Sequence, residues 1–319
     1  MIVKERPIPL SIKMHEALVR RVDPNHISMR EIHKNLTQSR KGFRGETAID
    51  YFLSYLPDKD YYILHDLTLS NKHTFQMDTL ILTPYFFLIL EVKNYNGTVY
   101  FDDTFKQLIR MVDGKKEGYP YPITQVGRHK KQLHQWLLKK GIRSIPIETL
   151  IVFSFSSTII ESSNHNPEFV QRIIHSENIP EAVAEVSKRY GRRLFTKAEL
   201  LKLAKQMWKQ DRPQATNLLE AYALRELDIR GGVHCPNCSQ LPMNRKGKVW
   251  TCKQCNFSST DAHVESLKDY AYLIGPKITN EQLRAFLKIP SPSTAAYILQ
   301  SMNLPYTGKT KGRQYQLPL

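Results

Sequence analysis

From Gly42 to Pro57 the chain reads GFRGETAIDYFLSYLP, with Ile49, Phe52, Leu53 and Leu56 at i, i+3, i+4 and i+7. That spacing predicts one buried helical face ended by Pro57, and Glu46, three residues before Ile49, opens the same face. Three strand-like runs follow, YYILHDLTL, TFQMDTLILT and YFFLILEVKNY, and Thr83-Pro84-Tyr85 predicts an antiparallel hairpin between the last two. GTVYFDD and a turn at Asp113-Gly114 are expected to continue the sheet. Residues 123–140, ITQVGRHKKQLHQWLLKK, carry the helical period up to Gly141, and IPIETLIVFSF reads as a buried strand. Thr196 and Glu199 form a capping box ahead of AELLKLAKQMW. Residues 1–40 show no clean period and are expected to be an irregular or partly helical lead-in.

A length of 319 residues allows two or three domains. The longest strongly apolar run is YFFLIL, far short of a membrane span, and the amino terminus lacks the apolar stretch of a signal peptide. A soluble, cytoplasmic protein with no membrane partner is the expectation. The net charge of +16 adds a polyanionic partner, since phosphate neutralisation releases counterions.

Candidate chemistry starts at LEVKNYNG. On a strand Glu91 and Lys93 share one face with Phe87 and Ile89, and the hairpin brings Asp78 toward Glu91. Two carboxylates beside one ammonium suit Mg²⁺, a hard cation with oxygen ligands, for work on a phosphate. A bare E-x-K fits an inter-strand salt bridge better, because the tripeptide is common.

The order of GFRGE (42–46), the Asp in QMDTLILT, ILEVKNYNG and YPITQ (121–125) resembles the nuclease-related domain, NERD, a branch of the PD-(D/E)xK restriction-endonuclease-like nucleases. The resemblance spans about residues 40–155. It implies Asp78 and Glu91 as ligands of Mg²⁺ or Mn²⁺, and Glu46 as a further acidic member binding the ion directly or through water. It also implies that Lys93 serves the attacking water and that Gln125 supports the site. Met77 stands where the superfamily pattern carries proline. His129, one turn beyond Gln125, faces either the same cleft or the surface.

Cys235-x2-Cys238 and Cys252-x2-Cys255, separated by thirteen residues, have the spacing of a four-thiolate structural Zn²⁺ site, against which a disulfide framework is weighed by redox compartment. The layout resembles the zinc ribbons appended to topoisomerases. Arg245, Lys246, Lys248 and Trp250 then offer cations and an aromatic surface to nucleic acid, while a structural or protein-binding ribbon, or a homo-oligomer through it, stays open.

The last segment splits into two amphipathic helices, the first capped by Thr279 or Asn280 and the second by Ser293 or Thr294. A glycine- and lysine-rich hairpin follows. Together they look like a winged helix-turn-helix with Lys309, Lys311 and Arg313 on the wing, and a helical protein-docking domain is the competing reading. From Asp228 onward there are 12 Lys and Arg against 5 Asp and Glu.

The expected class is α/β: a restriction-endonuclease-like mixed sheet flanked by helices, plus a small zinc ribbon and a small winged-helix-like domain. The expected boundaries are a lead-in at 1–40, the nuclease-like domain at 41–210, a linker helix at 211–230, the ribbon at 231–262 and the winged helix at 263–319. The expected function is metal-dependent hydrolysis of DNA, with RNA open as substrate. The alternative is a non-catalytic DNA-binding protein built on the nuclease scaffold.

Overall fold

Strands β1 (Ile2–Lys4), β2 (Tyr62–Ser70), β3 (Thr74–Leu82) and β4 (Phe87–Lys93) lie side by side in the computed structural model, which describes residues 1–57, 61–213 and 216–318. The mixed sheet continues through β8 (Ile147–Phe153) and β10 (Ile173–His175). β2, β3 and β4 pair antiparallel, with Leu64 opposite Leu80 and Leu80 opposite Ile89, whereas β4 runs parallel to β8.

Alternation along β4 feeds two layers. Phe87 and Ile89 pack with Leu133 and Trp136 of α3 (Pro122–Lys139) and with Leu200 and Leu203 of α6 (Lys197–Lys209). Leu88, Leu90 and Val92 pack instead with Ile49 and Leu53 of α2 (Met29–Leu53) and with Ile179 and Val183 of α5 (Ile179–Lys188). Glu91 and Lys93 therefore continue the face covered by α3. The helix expected from residue 42 begins at Met29, so Glu46 sits in its interior rather than at its start.

GTVYFDD does not continue this sheet. β5 (Thr98–Asp102), β6 (Gln107–Val112), β7 (Lys115–Pro120) and β9 (Ile159–Ser162) form a second sheet in the order β7-β6-β5-β9. Gly97 turns the chain away from β4 at φ +85°, and a Cβ there would stand 2.5 Å from the Met111 carbonyl oxygen. Val99 and Phe101 pack with Phe153 of β8 and with Phe169 of the one-turn α4 (Pro167–Val170).

The chain divides into two units, Met1–Ile8 with Arg40–Gln214, and Pro9–Ser39 with Ala215–Leu319. The expected lead-in is thus shared: β1 joins the large sheet, while α1 (Leu10–Arg21) belongs to the second unit. That unit also holds α7 (Leu218–Ala221), α8 (His263–Leu273), α9 (Asn280–Leu287) and α10 (Pro292–Ser301). One antiparallel sheet is β11 (Asn244–Lys246), β12 (Val249–Thr251) and β13 (Ser258–Ser259). Another has the order β14 (Lys277–Ile278), β16 (Gln314–Gln316), β15 (Tyr306–Thr307). Leu18, Ile32, Cys235, Trp250, Leu267 and Ile298 share one core. Thr279 and Gln282 box the start of α9, and Ser291 caps α10 two residues earlier than expected, because Pro292 fits the first helical turn.

Asp269 on α8 is fully buried, 2.8 Å from Arg21 Nε and 2.6 Å from Arg20 Nη2. Arg21 also donates to the Gly232 carbonyl at 2.6 Å and is itself fully buried. Asp269→Ala would strand that guanidinium without its carboxylate and is expected to destabilise the second unit by about 3–5 kcal/mol. Urea denaturation followed by circular dichroism reads the loss; an unchanged midpoint would mean that the pair contributes nothing.

Candidate active site and cysteine centre

Glu91 is 3% exposed at the end of β4, where the strand leaves its apolar layer. Its Oε1 accepts from Lys93 Nζ at 2.7 Å and from Gln125 Nε2 at 2.6 Å. Lys93 Nζ also donates to Gln125 Oε1 at 3.0 Å, which closes a three-membered polar ring. Burial alone would lower the Lys93 pKa, but the Glu91 charge and hydrogen bond outweigh it and hold the pKa above its usual value.

Asp78 comes from β3, and its Oδ2 accepts from the Val92 N–H at 2.8 Å. Burial, and then the neighbouring Glu91 charge, push the Asp78 carboxyl up to about 7. Burial and then Asp78 likewise lift Glu46 to about 7, against the pull of Arg6. Gly45 explains how α2 reaches this place: a Cβ there would lie 2.4 Å from Asn94 Cβ and 2.8 Å from Ser154 Oγ.

Four participants, Arg6, Asp50, Thr79 and His65, carry no local signal in the sequence. Arg6, beyond β1, donates to Glu46 at 3.1 Å, to Asp50 at 2.9 Å, to the Asp78 carbonyl at 3.2 Å and to Thr79 Oγ1 at 3.0 Å. His65 Nδ1 lies 2.9 Å from the same guanidinium. These partners stand 40 to 73 residues away in the chain, so only the fold joins them. Asp78, Gln125, Arg128 and His129 line one cavity of about 490 Å³. His129 is buried there rather than exposed, and burial followed by Arg128 and Lys93 lowers its pKa to about 4.

Asp78, Glu46 and Glu91, the first two with lifted pKa values, offer the oxygen donors that suit a hard divalent cation. Among the described residues, the group of three or more metal-ligating side chains whose ligand atoms gather together is the four cysteines, within 4.8 Å of one another, while Glu46 is drawn to Arg6.

In the second unit Cys235 and Cys255 sulfurs are 3.6 Å apart, and those of Cys238 and Cys252 are 3.5 Å apart. A disulfide needs about 2.05 Å. Two thiolates each about 2.3 Å from a tetrahedral Zn²⁺ stand roughly 3.8 Å apart, so the four thiols fit that ion.

The expected nucleic-acid contacts separate into two groups. Trp250 is 2% exposed in the core, and Arg245 is half-buried with its guanidinium 4.9 Å from that ring, so this ring offers no stacking surface. Lys246, Lys248 and Lys309 are exposed, and the Lys311 side chain lies outside the described residues. Exposed aromatics of this unit include Tyr297, with Lys248 Nζ 5.1 Å from its ring, and Tyr306, with the half-buried Arg313 guanidinium at 4.3 Å. No helix among the described residues is long and apolar enough to cross a membrane.

Residues 41–154 match the family model of the nuclease-related domain, NERD. An uncharacterized protein of Bacillus anthracis is 27% identical over 121 residues, which are 37% of this chain and 57% of the relative. The chain thus spans little more than half the length of that curated relative. No solved structure matches the chain. Glu46, Asp78, Glu91, Lys93 and Gln125 all fall within the matched residues 41–154, whereas Arg6 lies outside.

Proposed function

We propose that the chain hydrolyses phosphodiester bonds in DNA in a reaction that needs a divalent cation. The observation that carries this reading is the ring of Glu91, Lys93 and Gln125 at the end of a core strand, whose member Gln125 lines one cavity with Asp78. Asp78 and Glu91 would hold Mg²⁺ or Mn²⁺, with Glu46 as an outer carboxylate positioned by Arg6. When bound, such an ion neutralises charge on the phosphate and lowers the pKa of its water.

The residues supply the rest. Gln125 fixes the orientation of Glu91. Lys93, kept charged, donates to the attacking water or to a phosphoryl oxygen. The water oxygen bonds to phosphorus and gives up a proton to solvent, the ester P–O bond breaks, and the leaving oxygen takes up a proton, so none is gained or lost overall.

In this reading the β11–β13 sheet with its four cysteines is a zinc ribbon. The order α8, β14, α9, α10, β15, β16 is that of a winged helix, with α10 as recognition helix and residues 308–313 as the wing. Exposed Lys248, Lys309, Tyr297 and Tyr306 supply cations and stacking faces for the polymer. The grip of Arg6 on Glu46 is what a non-catalytic scaffold would draw on.

Incubating the zinc-loaded chain with linear, circular and single-stranded DNA and with RNA, with Mg²⁺, Mn²⁺ or no added cation, separates the two. Cation-dependent cleavage of DNA is expected. Tight binding with no cleavage of any substrate would favour the scaffold, and cleavage of RNA alone would reassign the substrate.

A further inference from the structure

We propose that His129 is a nitrogen ligand of the cation held beside Glu91, so that the site prefers Mn²⁺ to Mg²⁺. This rests on the hydrolytic reading above and adds to it a residue and an ion preference.

Gln125 and His129 are four residues apart on α3 and so present one face. Gln125 satisfies Glu91 Oε1, as does Lys93. Oε2, the other oxygen, faces His129 Nδ1 at 3.6 Å. That separation is too long for a hydrogen bond.

His129 is 7% exposed, and its Nδ1 is buried with no hydrogen-bond partner. Leaving such an atom unsatisfied costs about 1–3 kcal/mol, so its retention calls for a physical role. Two donors about 2.1–2.2 Å from a shared ion stand roughly 3.0–3.7 Å apart at bond angles of about 90–115°. The Nδ1 to Oε2 distance falls in that interval. Asp78 lines the same cavity as His129. An imidazole donor favours first-row transition ions over Mg²⁺, whose ligands are carboxylate, carbonyl and water.

The test uses the full zinc-loaded chain, with Mn²⁺ as probe, in wild type, His129→Gln, His129→Asn and Asp78→Ala. Circular dichroism melts establish that each variant folds, and the two His129 variants guard against one that does not. In the wild type, pulsed electron paramagnetic resonance should show nitrogen coupling from a directly bound imidazole. The His129 variants should lose that coupling and bind Mn²⁺ about tenfold or more weakly, while Mg²⁺ affinity changes much less.

Mn²⁺ binding that depends on Asp78 but shows no nitrogen coupling, with unchanged affinity in the folded His129 variants, would overturn the inference and leave the carboxylate site standing. A water between Nδ1 and Oε2 would give that result. Absence of any Asp78-dependent Mn²⁺ binding in the wild type would instead remove the hydrolytic reading, and the inference with it.

Discussion

Lys93→Ala is expected to slow cation-dependent cleavage by about 10²–10³-fold, because it removes a buried donor aimed at developing charge. Asp78→Asn is expected to abolish cleavage and yet to raise the melting temperature without added Mg²⁺. The sign follows from the electrostatics. Asp78 and Glu46 have carboxyls lifted to about 7 by burial and by neighbouring acids. In the unfolded chain such groups titrate at roughly 4. The folded form therefore keeps protons that the unfolded form has lost, and stability falls as pH rises across that window. Neutralising Asp78 relieves on the order of 1–2 kcal/mol, or about 2–8 °C. A bound cation replaces the same protons, so the stabilisation by Mg²⁺ should be near zero at about pH 5 and reach its plateau above about pH 8. Thermal melts across this range, with and without Mg²⁺, measure it. A pH-independent increment, or a lower melting temperature for Asp78→Asn, would show that these carboxyls do not form a cation site.

Such opposition between stability and activity is written into the sequence at LEVKNYNG, but only part of the surrounding machinery is. The strand period of β2 to β4, the helical period of α3 and the capping box at Thr196 are local patterns, and the structure shows each of them. α2 was legible only over its second half. Its first half turns Met29 and Ile32 to one core, its second half turns Ile49 and Leu53 to another, and polar residues separate them. No single stripe runs along the helix, so periodicity marks only its end. Trp250 reads as a surface aromatic because its strand is short and polar, whereas its burial depends on helices far along the chain. Arg6 carries no local signal, and the sequence leaves His129 open between cleft and surface, for the same reason: their partners are set by sheet order and helix packing, which no window of sequence contains.

Replacing Cys235 and Cys252 together by serine is expected to remove zinc and to unfold most of the second unit. Both are fully buried in one core with Trp250 and Leu267. A structural Zn²⁺ contributes about 10–16 kcal/mol of apparent binding energy, as much as the whole stability of an ordinary domain at about 5–15 kcal/mol. Elemental analysis should give about one zinc per chain in the wild type and close to none in the variant. Circular dichroism should show lost structure, and full zinc retention would refute the four-cysteine site. Cys238→Ser makes an informative contrast, because that residue is exposed: it should weaken zinc binding without cutting into the core. The proposed catalytic residues all lie in the first unit, whereas the cationic surface of Lys248 and Lys309 lies in the second. The double variant should therefore still cleave DNA, but at raised DNA concentration and with a shallower dependence on salt, because fewer phosphates are neutralised on binding.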